Sequence, residues 1–393
     1  MREVARTTTD DEFFQQKRLW SGLKDRILGT YIVPYLRKVA TLHRPIVLVD
    51  AFAGPGVFKD GSKGSPLILT EAAERLVPDQ YVAYFVNHKR AHHETLEANL
   101  ARLIAAGKVQ CFNMRAAEFL PLLRKRLSVE TLLLYLDPFG LKGCEFTVIK
   151  PFLTRPRVYS TEILVNVSVS TIHRLAASRA RAKGEPNSHA AALNDRLTSV
   201  MDGTHWQPIF DDSDLTAQQR TERVVAGYRE RLREFLPYVE SCPVRESPRA
   251  SVKYYMTFCS RSPDAFELMN DAMCQAYHER MHESVTSGTL FEGTDWREDR
   301  HLGELEKLIE AGLTKLGPLS RKQLWFEIIH QRFMSFTASE YKAVVRALVE
   351  GHKLSFRDTR GTGRLNDDSV IYFASSASKR GGPQDPEPLK NAG

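Results

Sequence analysis

Five short apolar runs alternate with helical patterns from residue 46 onward, and this alternation constrains the fold more than any other feature of the sequence. The apolar runs are IVLVD, YVAYFVN, VQCFN, TLLLYLD and STEILVNVS. The segments between them, such as LILTEAAERL and HHETLEANLARLIAAG, have apolar residues at the spacing of a helix. Continuous apolar strands separated by amphipathic helices predict an α/β domain with a mostly parallel sheet that is covered on both faces.

Two later strand-like runs predict an antiparallel hairpin at the edge of that sheet. Residues 238–244 and 251–260 read YVESCPV and SVKYYMTFCS, and the short polar stretch RESPRA separates them. A connection of this kind joins antiparallel neighbours. The predicted fold is therefore a Rossmann-like sheet, mostly parallel, with an antiparallel hairpin edge.

The N-terminal and central parts of the chain differ in pattern. Residues 1–45 predict a helical segment that packs on the core, and Pro34 interrupts the helical spacing of residues 13–40. Residues 46–298 contain the strand and helix alternation. A basic helical insertion is expected within this domain, near residues 170–235.

The C-terminal part predicts a separate small domain. Residues 299–375 show three helical patterns, followed by two strand-like runs on either side of the turn-rich stretch RGTGRLNDD. Three helices and a two-stranded wing are typical of a winged helix. Residues 376–393 are polar and rich in proline and glycine, which predicts a disordered tail.

The composition predicts a globular cytoplasmic protein with no membrane association. The chain of 393 residues is 42% hydrophobic and 26% charged, and it has no run of eighteen apolar residues. The N-terminal residues lack the apolar stretch of a secretory signal. Five scattered cysteines form no CxxC pair, so neither a disulfide framework nor a metal site is expected. The net charge of +7 is a mild indication of a polyanionic partner.

The first apolar run leads into a glycine loop, VLVDAFAGPGVF. Ligands bind at the carboxyl ends of parallel strands, and Gly54 and Gly56 would let backbone N–H groups approach a ligand closely. The acid, Asp50, precedes the glycines, whereas a dinucleotide fingerprint has its acid about twenty residues after them. This order resembles the first motif of class I S-adenosylmethionine-dependent methyltransferases, and Asp50, Phe52, Gly54 and Gly56 are candidate cofactor-binding residues. A tight strand-to-helix turn without a ligand is the alternative.

The fourth apolar run ends in LLLYLDPFGLKG. Its Asp-Pro-Phe-Gly resembles the fourth motif of amino-group methyltransferases, and it is closer still to the DPFG of tRNA guanine-N2 methyltransferases. An exocyclic amine is a poor nucleophile because its lone pair is delocalised, and a carboxylate that accepts its N–H would restore electron density. Phe139 would stack on a flipped base, and the candidate catalytic residues are Asp137, Pro138, Phe139 and Gly140. A buried strand that ends in an ordinary turn is the alternative.

The second apolar run departs from the methyltransferase pattern. It ends in Asn87, at the place where that class usually has an acid that holds the ribose hydroxyls. An amide can hydrogen-bond a hydroxyl, but it lacks the charge that makes such a bond strong. Ribose binding is therefore weak, or another residue provides it, or no cofactor binds. After the third run, Asn113 falls where adenine contacts usually come, and a plain loop is its alternative.

Two groups of basic residues are candidate nucleic-acid contacts. The first group follows the fifth apolar run: Arg174, Arg179, Arg181 and Lys183. The second group lies in the C-terminal part, on a helical pattern and around the expected wing: Lys342, Arg346, Arg357, Arg360 and Arg364. Clusters of this kind contact phosphates. Solvated charged faces are the alternative for the first group, and protein docking is the alternative for the second.

Several segments together resemble the three-Cys-motif partner protein (TcmP) family of bacteria. They are FFQQKRLWSGLKDRILGTYIVPYLRKVA, RPIVLVDAFAGPGVFKDGSKGSPLIL, LLYLDPFGLKGCEF, STEILVNVS and YYMTFCSRSPDAFELMNDAM, within residues 10–375. The resemblance implies a partner, a phage Gp37/Gp68-like protein with a three-cysteine motif of radical-S-adenosylmethionine type. It implies no particular reaction, so the methyltransferase hypothesis rests on the strand-end motifs.

Two functional hypotheses follow. In the first, the protein transfers a methyl group from S-adenosylmethionine to a base amine in nucleic acid and works with the three-Cys-motif partner. In the second, a methyltransferase-like domain is a non-catalytic adaptor that binds nucleic acid or docks the partner, and Asn87 in place of the usual acid motivates it. The sequence identifies neither the modified atom nor an oligomeric state.

Overall fold

A seven-stranded sheet is the centre of the larger of two compact units. The computed structural model describes residues 19–181, 188–298, 300 and 302–374, and the chain divides into its two units after Glu298. The strands of the larger unit are β1 (Ile46–Asp50), β2 (Tyr81–Val86), β3 (Val109–Phe112), β4 (Thr131–Leu136), β5 (Thr161–Ser168), β6 (Tyr238–Val244) and β7 (Tyr254–Ser260).

The strand order in this sheet is β3-β2-β1-β4-β5-β7-β6. The first five strands in that order pair in parallel, and β7 runs antiparallel to both of its neighbours, β5 and β6. The predicted α/β fold with a mostly parallel sheet is confirmed, and the two strands of the predicted hairpin form one edge of the sheet. The order reverses direction between β1 and β4, which creates a switch point.

Helices flank the sheet and connect its strands. They are α1 (Leu19–Ala40), α2 (Ser65–Leu76), α3 (Arg90–Ala105), α4 (Ala116–Arg126), α5 (Phe146–Leu153), α6 (Val169–Arg181), α7 (Ser188–Met201), α8 (Trp206–Asp211), α9 (Ala217–Arg233) and α10 (Pro263–Thr286). Every residue of β1, β4 and β5 is buried. Such burial explains why these strands read as continuous apolar runs in the sequence rather than as alternating ones.

Helix α1 continues through Pro34, so the predicted interruption there is wrong. Proline lacks the N–H that would bond the carbonyl four residues earlier, and this weakens the helix locally. Burial outweighs that loss, because Tyr31, Tyr35 and Leu36 are at most 1% exposed and α1 packs against α2 and α10. The described part of the N-terminal segment is thus an integral layer of the α/β unit.

A buried acid on β5 ties α1 to the sheet. The Tyr31 hydroxyl donates to Oε2 of Glu162, and neither residue is more than 2% exposed. Burial raises the pKa of Glu162 to about 8, although the hydrogen bond from Tyr31 favours the ionised form. Burial also raises the pKa of the Tyr31 hydroxyl. At neutral pH the protonated form of Glu162 therefore predominates in the folded protein.

The C-terminal unit contains three helices and a three-stranded antiparallel sheet. Its elements in chain order are α11 (Gly303–Leu316), β8 (Leu319–Ser320), α12 (Arg321–Gln331), α13 (Ala338–Glu350), β9 (Leu354–Arg357) and β10 (Val370–Phe373). Strand β10 lies between β8 and β9. The strand pair expected around the turn-rich stretch corresponds to β9 and β10, whereas the two-residue strand β8 was too short for the sequence pattern to predict.

Asp358 organises the loop between β9 and β10. Its carboxylate accepts hydrogen bonds from the backbone N–H groups of Arg360 at 2.9 Å and Gly363 at 2.6 Å, and from the Thr362 hydroxyl at 2.9 Å. These bonds, led by the one from Arg360, lower the pKa of Asp358 to about 2. The loop that carries Arg360 and Arg364 is therefore ordered around an ionised carboxylate.

Neither a membrane-spanning helix nor a metal-binding cluster is present among the described residues. No helix there is long and apolar enough to cross a membrane. The same part of the chain contains no group of three or more histidine, cysteine, aspartate or glutamate side chains that could hold a metal ion. The five cysteines are free thiols, four of them buried and Cys111 partly exposed.

We expect Glu162→Gln to stabilise the protein at pH 8 by on the order of 4 kcal/mol and to change its stability little at pH 4.5. Because the folded pKa of about 8 lies above the ordinary value of 4.5, the folded state binds the proton more tightly. The stability that this group contributes is complete below about pH 4.5 and is lost as the pH rises through 8. Urea denaturation at the two pH values measures the difference.

The exposed Glu94 on α3 is the control for this prediction, because Glu94→Gln should leave the pH dependence of unfolding unchanged. A Glu162→Gln protein whose stability, relative to the wild type, is the same at both pH values would contradict the protonation assigned to Glu162.

Candidate active site

The glycine loop after β1 and the Asp-Pro-Phe segment after β4 open on one cavity of about 360 Å³. It lies at the carboxyl ends of the parallel strands, beside the switch point, where open α/β sheets bind ligands. Its volume is in the range of small-molecule sites. The lining includes Ser21, Lys24, Asp25, Phe52, Gly54, Pro55, Gly56, Ser65, Asn87, His88, Lys89, His92, Met114, Arg115, Asp137, Pro138, Phe139, Lys142 and Tyr254.

Asp50 holds the glycine loop from beneath and does not itself line the cavity. Its fully buried carboxylate accepts the backbone N–H of Phe52 on Oδ1 at 2.9 Å and the Ser65 hydroxyl on Oδ2 at 2.5 Å. Both of these partners line the cavity. The cofactor-binding role of Asp50 stays a prediction; the structure places its carboxylate against two residues that line the cavity.

The ionisation of Asp50 is balanced close to neutral pH. Burial raises its pKa to about 7, while the hydrogen bonds from Ser65 and Phe52 favour the ionised form. The nearby carboxylates of Asp137 and Asp25 add to the rise because like charges repel. The pKa of this loop anchor therefore lies far above the ordinary aspartate value and near neutral pH.

Gly56 meets two requirements that other residues fail. Its φ of +87° is in the left-handed region, where side chains cause strain. A Cβ atom at this position would lie 2.7 Å from Cδ1 of Leu67 and 3.1 Å from Cδ1 of Leu96. A side chain at position 56 would therefore be strained by the backbone conformation and would displace the ends of the Leu67 and Leu96 side chains. Gly54 lines the cavity.

Asp137 lies directly after the carboxyl end of β4 and forms an ion pair with Lys24 of α1. The Lys24 ammonium donates to Oδ1 at 2.7 Å and to Oδ2 at 2.6 Å. The Lys24 side chain is only 3% exposed, whereas that of Asp137 is 25% exposed. Burial alone would lower the pKa of Lys24, but the Asp137 carboxylate outweighs it and the pKa is raised. Lys24 is therefore a buried cation that depends on Asp137.

The other candidate catalytic residues surround this pair. Pro138 and Phe139 line the cavity, and the Phe139 ring is 64% exposed, which is unusual for an aromatic side chain beside a buried strand. Gly140 has a φ of +105° and is not among the lining residues. Gly140 turns the backbone after Phe139. Three residues of the Asp-Pro-Phe-Gly motif therefore line the cavity, and the fourth forms the turn.

The two candidate asparagines brace the loops instead of pointing free amides at the cavity. Asn87 donates from Nδ2 to the Ala53 carbonyl at 2.5 Å, and its Oδ1 accepts the Lys89 backbone N–H at 2.9 Å. Asn113 donates to the carbonyl of Asn87 at 2.8 Å. Asn87 lines the cavity and Asn113 does not. These bonds tie the end of β2 to the loops after β1 and β3.

Positive side chains outnumber negative ones around the cavity. Four lysine or arginine residues line it, against two aspartates. Lys89 and Arg115, together with His88 and His92, come from the loops after β2 and β3 and the start of α3. An acid that would hold ribose hydroxyls is absent from this part of the described lining.

The predicted nucleic-acid contacts are described only in part. Arg174 is exposed on α6; the side chains of Arg179 and Arg181 and the whole of Lys183 lie outside the described residues. In the C-terminal unit, Arg360 pairs with Asp368, and Lys342 lies 3.7 Å from Asp367. Exposed residues without an ion pair in the described ranges are Arg346, Arg357 and Arg364. Their role in nucleic-acid binding stays a prediction.

Sequence reasoning missed Lys24, Ser65 and Tyr254 as site residues. Lys24 shares a helical face with Leu28 and Tyr31, four and seven positions later, and both of these are fully buried. A lysine on the apolar face of a helix requires a buried partner, and this was the one available signal. Nothing in the sequence identified that partner, because it lies 113 residues away.

Comparisons with known proteins found partial likenesses to solved structures. No protein-family model and no curated protein matches the chain. The yhhF protein of Escherichia coli, provisionally described as a methyltransferase, is 20% identical with a TM-score of 0.24; the match covers 36% of this chain and 69% of that one. Cofactor-bound Rv0187 from MTB is 12% identical with a TM-score of 0.32, covering 66% and 84%.

A third solved structure is TYW2 of P. horikoshii in complex with MeSAdo, 11% identical with a TM-score of 0.26, covering 58% of this chain and 63% of that one. Scores of this size support no inference about function. The fold assignment rests on the strand order, β3-β2-β1-β4-β5-β7-β6 with β7 antiparallel. This is a Rossmann-like, mostly parallel sheet.

We expect Gly56→Ala to destabilise the protein by about 2–3 kcal/mol, because it adds a steric contact with Leu67 and Leu96 to the strain of positive φ. Gly61→Ala is the matched control, because Gly61 has a φ of +80° and open space around it. Its cost should be about 1 kcal/mol. Urea denaturation of both variants measures the difference, and equal losses would contradict the steric argument.

We expect Asp137→Leu to lower the free energy of unfolding by about 3–5 kcal/mol, because it leaves a buried ammonium without its partner. The double variant Lys24→Met/Asp137→Leu should recover most of that loss. The control is a more exposed ion pair between Lys38, on the same helix as Lys24, and Asp264 of α10. Asp264→Leu should cost about 1 kcal/mol or less. A double variant as unstable as Asp137→Leu would contradict the buried-charge argument.

Proposed function

We propose that the protein is an S-adenosylmethionine-dependent methyltransferase that acts on an exocyclic amine of a nucleic-acid base. One observation carries the proposal: the glycine loop after β1 and Asp137, Pro138 and Phe139 after β4 line the same cavity at the switch point. A donor held by the first segment and an acceptor held by the second would meet there. The strand order of the sheet supports the same class of enzyme.

The side chains of the cavity fit the amino-acid and adenine parts of the cofactor. Asp25 lines the cavity and would stabilise the positive charge of a sulfonium or an α-ammonium group. Phe52 and Met114 provide apolar surface for a purine. The ribose hydroxyls would rely on backbone groups near Asn87, where the usual acid is missing. When bound, S-adenosylmethionine supplies an electrophilic methyl group.

Asp137 and Phe139 are proposed to hold the acceptor. The exposed Phe139 ring offers a stacking surface for a base that has turned out of its helix. The Asp137 carboxylate accepts an N–H of the exocyclic amine, which directs electron density to the nitrogen. Asp137 would thereby hold the nitrogen with its lone pair available to the electrophilic methyl group of a bound cofactor. The proton that the amine loses passes to solvent beside the partly exposed Asp137.

The positive side chains around the cavity support a polyanionic acceptor. Lys89, Arg115 and Lys142 line the cavity, and we assign phosphate contacts also to the insertion residues Arg174, Arg179, Arg181 and Lys183. Phosphate contacts of this kind position the nucleic acid but do not read its sequence. The proposal therefore fixes the chemistry of the acceptor, a base amine in a polyanion, and not its sequence.

The C-terminal unit is proposed to be a winged helix that also contacts nucleic acid. The order of its elements, helix, strand, two helices and two strands, supports this assignment. The ordered loop between β9 and β10 would be the wing. Its contact residues would be Arg357, Arg360 and Arg364, with Lys342 and Arg346 on α13. The ion pairs of Arg360 and Lys342 would have to open for a phosphate contact.

We also propose that the chain belongs to the TcmP family and works with a phage Gp37/Gp68-like partner that carries a three-cysteine motif. The support is the sequence resemblance within residues 10–375. Co-purification of the two proteins after co-expression would test the partnership. A cytoplasmic location, which the sequence predicts, is the compartment in which such a partner and a nucleic acid would both be available.

Calorimetric titration with S-adenosylmethionine tests the cofactor assignment. We expect the wild type to bind and Asp50→Ala to bind at least about tenfold more weakly, because the loop loses the acceptor of both Phe52 and Ser65. Asp79→Ala, in the exposed turn before β2, should bind like the wild type. If the wild-type protein gives neither a heat of binding nor a thermal shift with the cofactor, the proposal is contradicted.

A non-catalytic adaptor is the second candidate function, and the bonds of Asn87 favour it. Its amide is engaged by Ala53 and Lys89, so it offers ribose a weaker grip than a free acid would. Transfer of tritium from methyl-labelled S-adenosylmethionine to unmodified tRNA transcripts or plasmid DNA separates the two functions. An adaptor would transfer no label, and Asp137→Asn would leave the activity of its complex with the partner unchanged.

A further inference from the structure

The surroundings of Asp137 leave one acceptor position on its carboxylate. Lys24 donates to Oδ1 at 2.7 Å and to Oδ2 at 2.6 Å, and the Tyr135 hydroxyl donates to Oδ2 at 3.3 Å. Each carboxylate oxygen has two lone-pair sites. Among the described residues, Lys24 and Tyr135 therefore occupy both sites on Oδ2, whereas Oδ1 keeps one site for a further donor.

The donors themselves are held in place. Asn166, which is 1% exposed on β5, donates from Nδ2 to the Tyr135 oxygen at 3.1 Å, so the Tyr135 proton is directed to Asp137. Burial raises the pKa of the Tyr135 hydroxyl well above its ordinary value, and it remains a donor. The Lys24 ammonium lies 4.6 Å from the centre of the Tyr254 ring. The Asp137 carboxylate thus has a single orientation.

The ion pair also removes the net charge from the acceptor side of the cavity. A lone carboxylate would attract an ammonium or guanidinium group, but here such a group would approach a cation already bonded to both oxygens. An uncharged amine needs only the open site on Oδ1. The other charged side chains of the described lining are Asp25, Lys89, Arg115 and Lys142, so positive groups outnumber negative ones there as well and disfavour a cationic acceptor.

We propose that Lys24 is the positioning residue of the acceptor site and restricts it to uncharged amines. Through its two bonds it orients the Asp137 carboxylate, so that Oδ1 accepts one N–H of a neutral planar amine, the chemistry of a base and not of a lysine or arginine side chain. The proposal rests on the proposed methyltransferase function. It adds a residue from α1, outside both strand-end motifs, to the machinery of transfer.

The step balances without a further reactant. A neutral amine has two N–H groups. One of them donates a hydrogen bond to Oδ1, and the nitrogen lone pair forms the bond to the methyl carbon. The carbon–sulfur bond breaks, and the sulfonium becomes a neutral thioether. The nitrogen then carries the positive charge, and it becomes neutral by losing to solvent the proton that is not hydrogen-bonded to Asp137. A protonated amine has no lone pair to give, which is a second reason why the site requires a neutral acceptor.

The test compares Lys24→Met with Lys38→Met, the same substitution on the same helix at a more exposed ion pair, with Asp264. Each variant is assayed for S-adenosylmethionine affinity by calorimetry and for tritium transfer to unmodified tRNA transcripts, plasmid DNA and polylysine. We expect Lys24→Met to bind the cofactor within about threefold of the wild type and to lose about 100-fold in kcat. Lys38→Met should match the wild type in both.

Tyr135→Phe is the second variant, for the case that Lys24→Met does not fold. It removes one donor to Oδ2 and opens a competing acceptor site there, and we expect kcat to fall about five- to tenfold with the cofactor affinity unchanged. A role of these residues in folding alone would lower the fraction of active protein and leave kcat per folded molecule intact.

The outcomes separate the two proposals. Wild type that labels tRNA or DNA but not polylysine, with the loss in kcat described, supports the role of Lys24. Folded Lys24→Met with kcat within threefold of the wild type overturns it, and so does labelling of polylysine in preference to nucleic acid. Wild type that binds no cofactor and transfers no label contradicts the proposed function itself and removes the role of Lys24 with it.

Discussion

The reversal of strand order between β1 and β4 is the constraint on which the site depends. The chain leaves β1 towards β2 and β3 on one side and leaves β4 towards β5 on the other. The two connections therefore diverge, and the path of the backbone alone creates a crevice between them. Both strands are fully buried, so this geometry is held by the core of the unit. Residues 50 and 137 are brought to one edge by topology, not by sequence proximity.

Helix α1 completes the crevice through two polar contacts of opposite kinds. At the cavity, Lys24 and Asp137 are an ion pair, with the carboxylate partly exposed. Towards the interior, Glu162 meets Tyr31 without a cation and remains largely protonated. A buried carboxyl group is tolerated either by pairing its charge or by losing it. The same helix uses both solutions, and only the paired one faces the ligand site.

Much of the fold was predictable because it depends on local periodicity. The apolar runs predicted the buried parallel strands, and the turn-rich stretch between two strand-like runs predicted the β9–β10 pair. Pro34 was misread, because its local cost is outweighed by the burial of Tyr31 and Tyr35, which the sequence pattern does not measure. Residues of the two strand-end motifs were found for the same reason that the strands were, since each motif directly follows its strand.

The parts of the site that depend on distant contacts were not predictable. Asp50 was expected to hold a cofactor, and the structure shows it bonded to Phe52 and Ser65 beneath the loop. Asn87 stands where a ribose-binding acid is usual, and the sequence left open whether it binds ribose; in the structure its amide is bonded to backbone groups of neighbouring loops. Lys24 was not recognised, because a pair 113 residues apart leaves no local trace. Residue type and strand position identify the region of a site, whereas hydrogen-bond partners decide which of its side chains face the cavity.

The protonation of Asp50 has a consequence for how any occupant of the cavity is measured. Its pKa of about 7 means that both forms of the loop anchor coexist under ordinary assay conditions. A ligand that prefers one form will take up or release a fraction of a proton as it binds. The observed heat will then include the ionisation enthalpy of the buffer, so that titrations in phosphate and in Tris will disagree in enthalpy while agreeing in affinity.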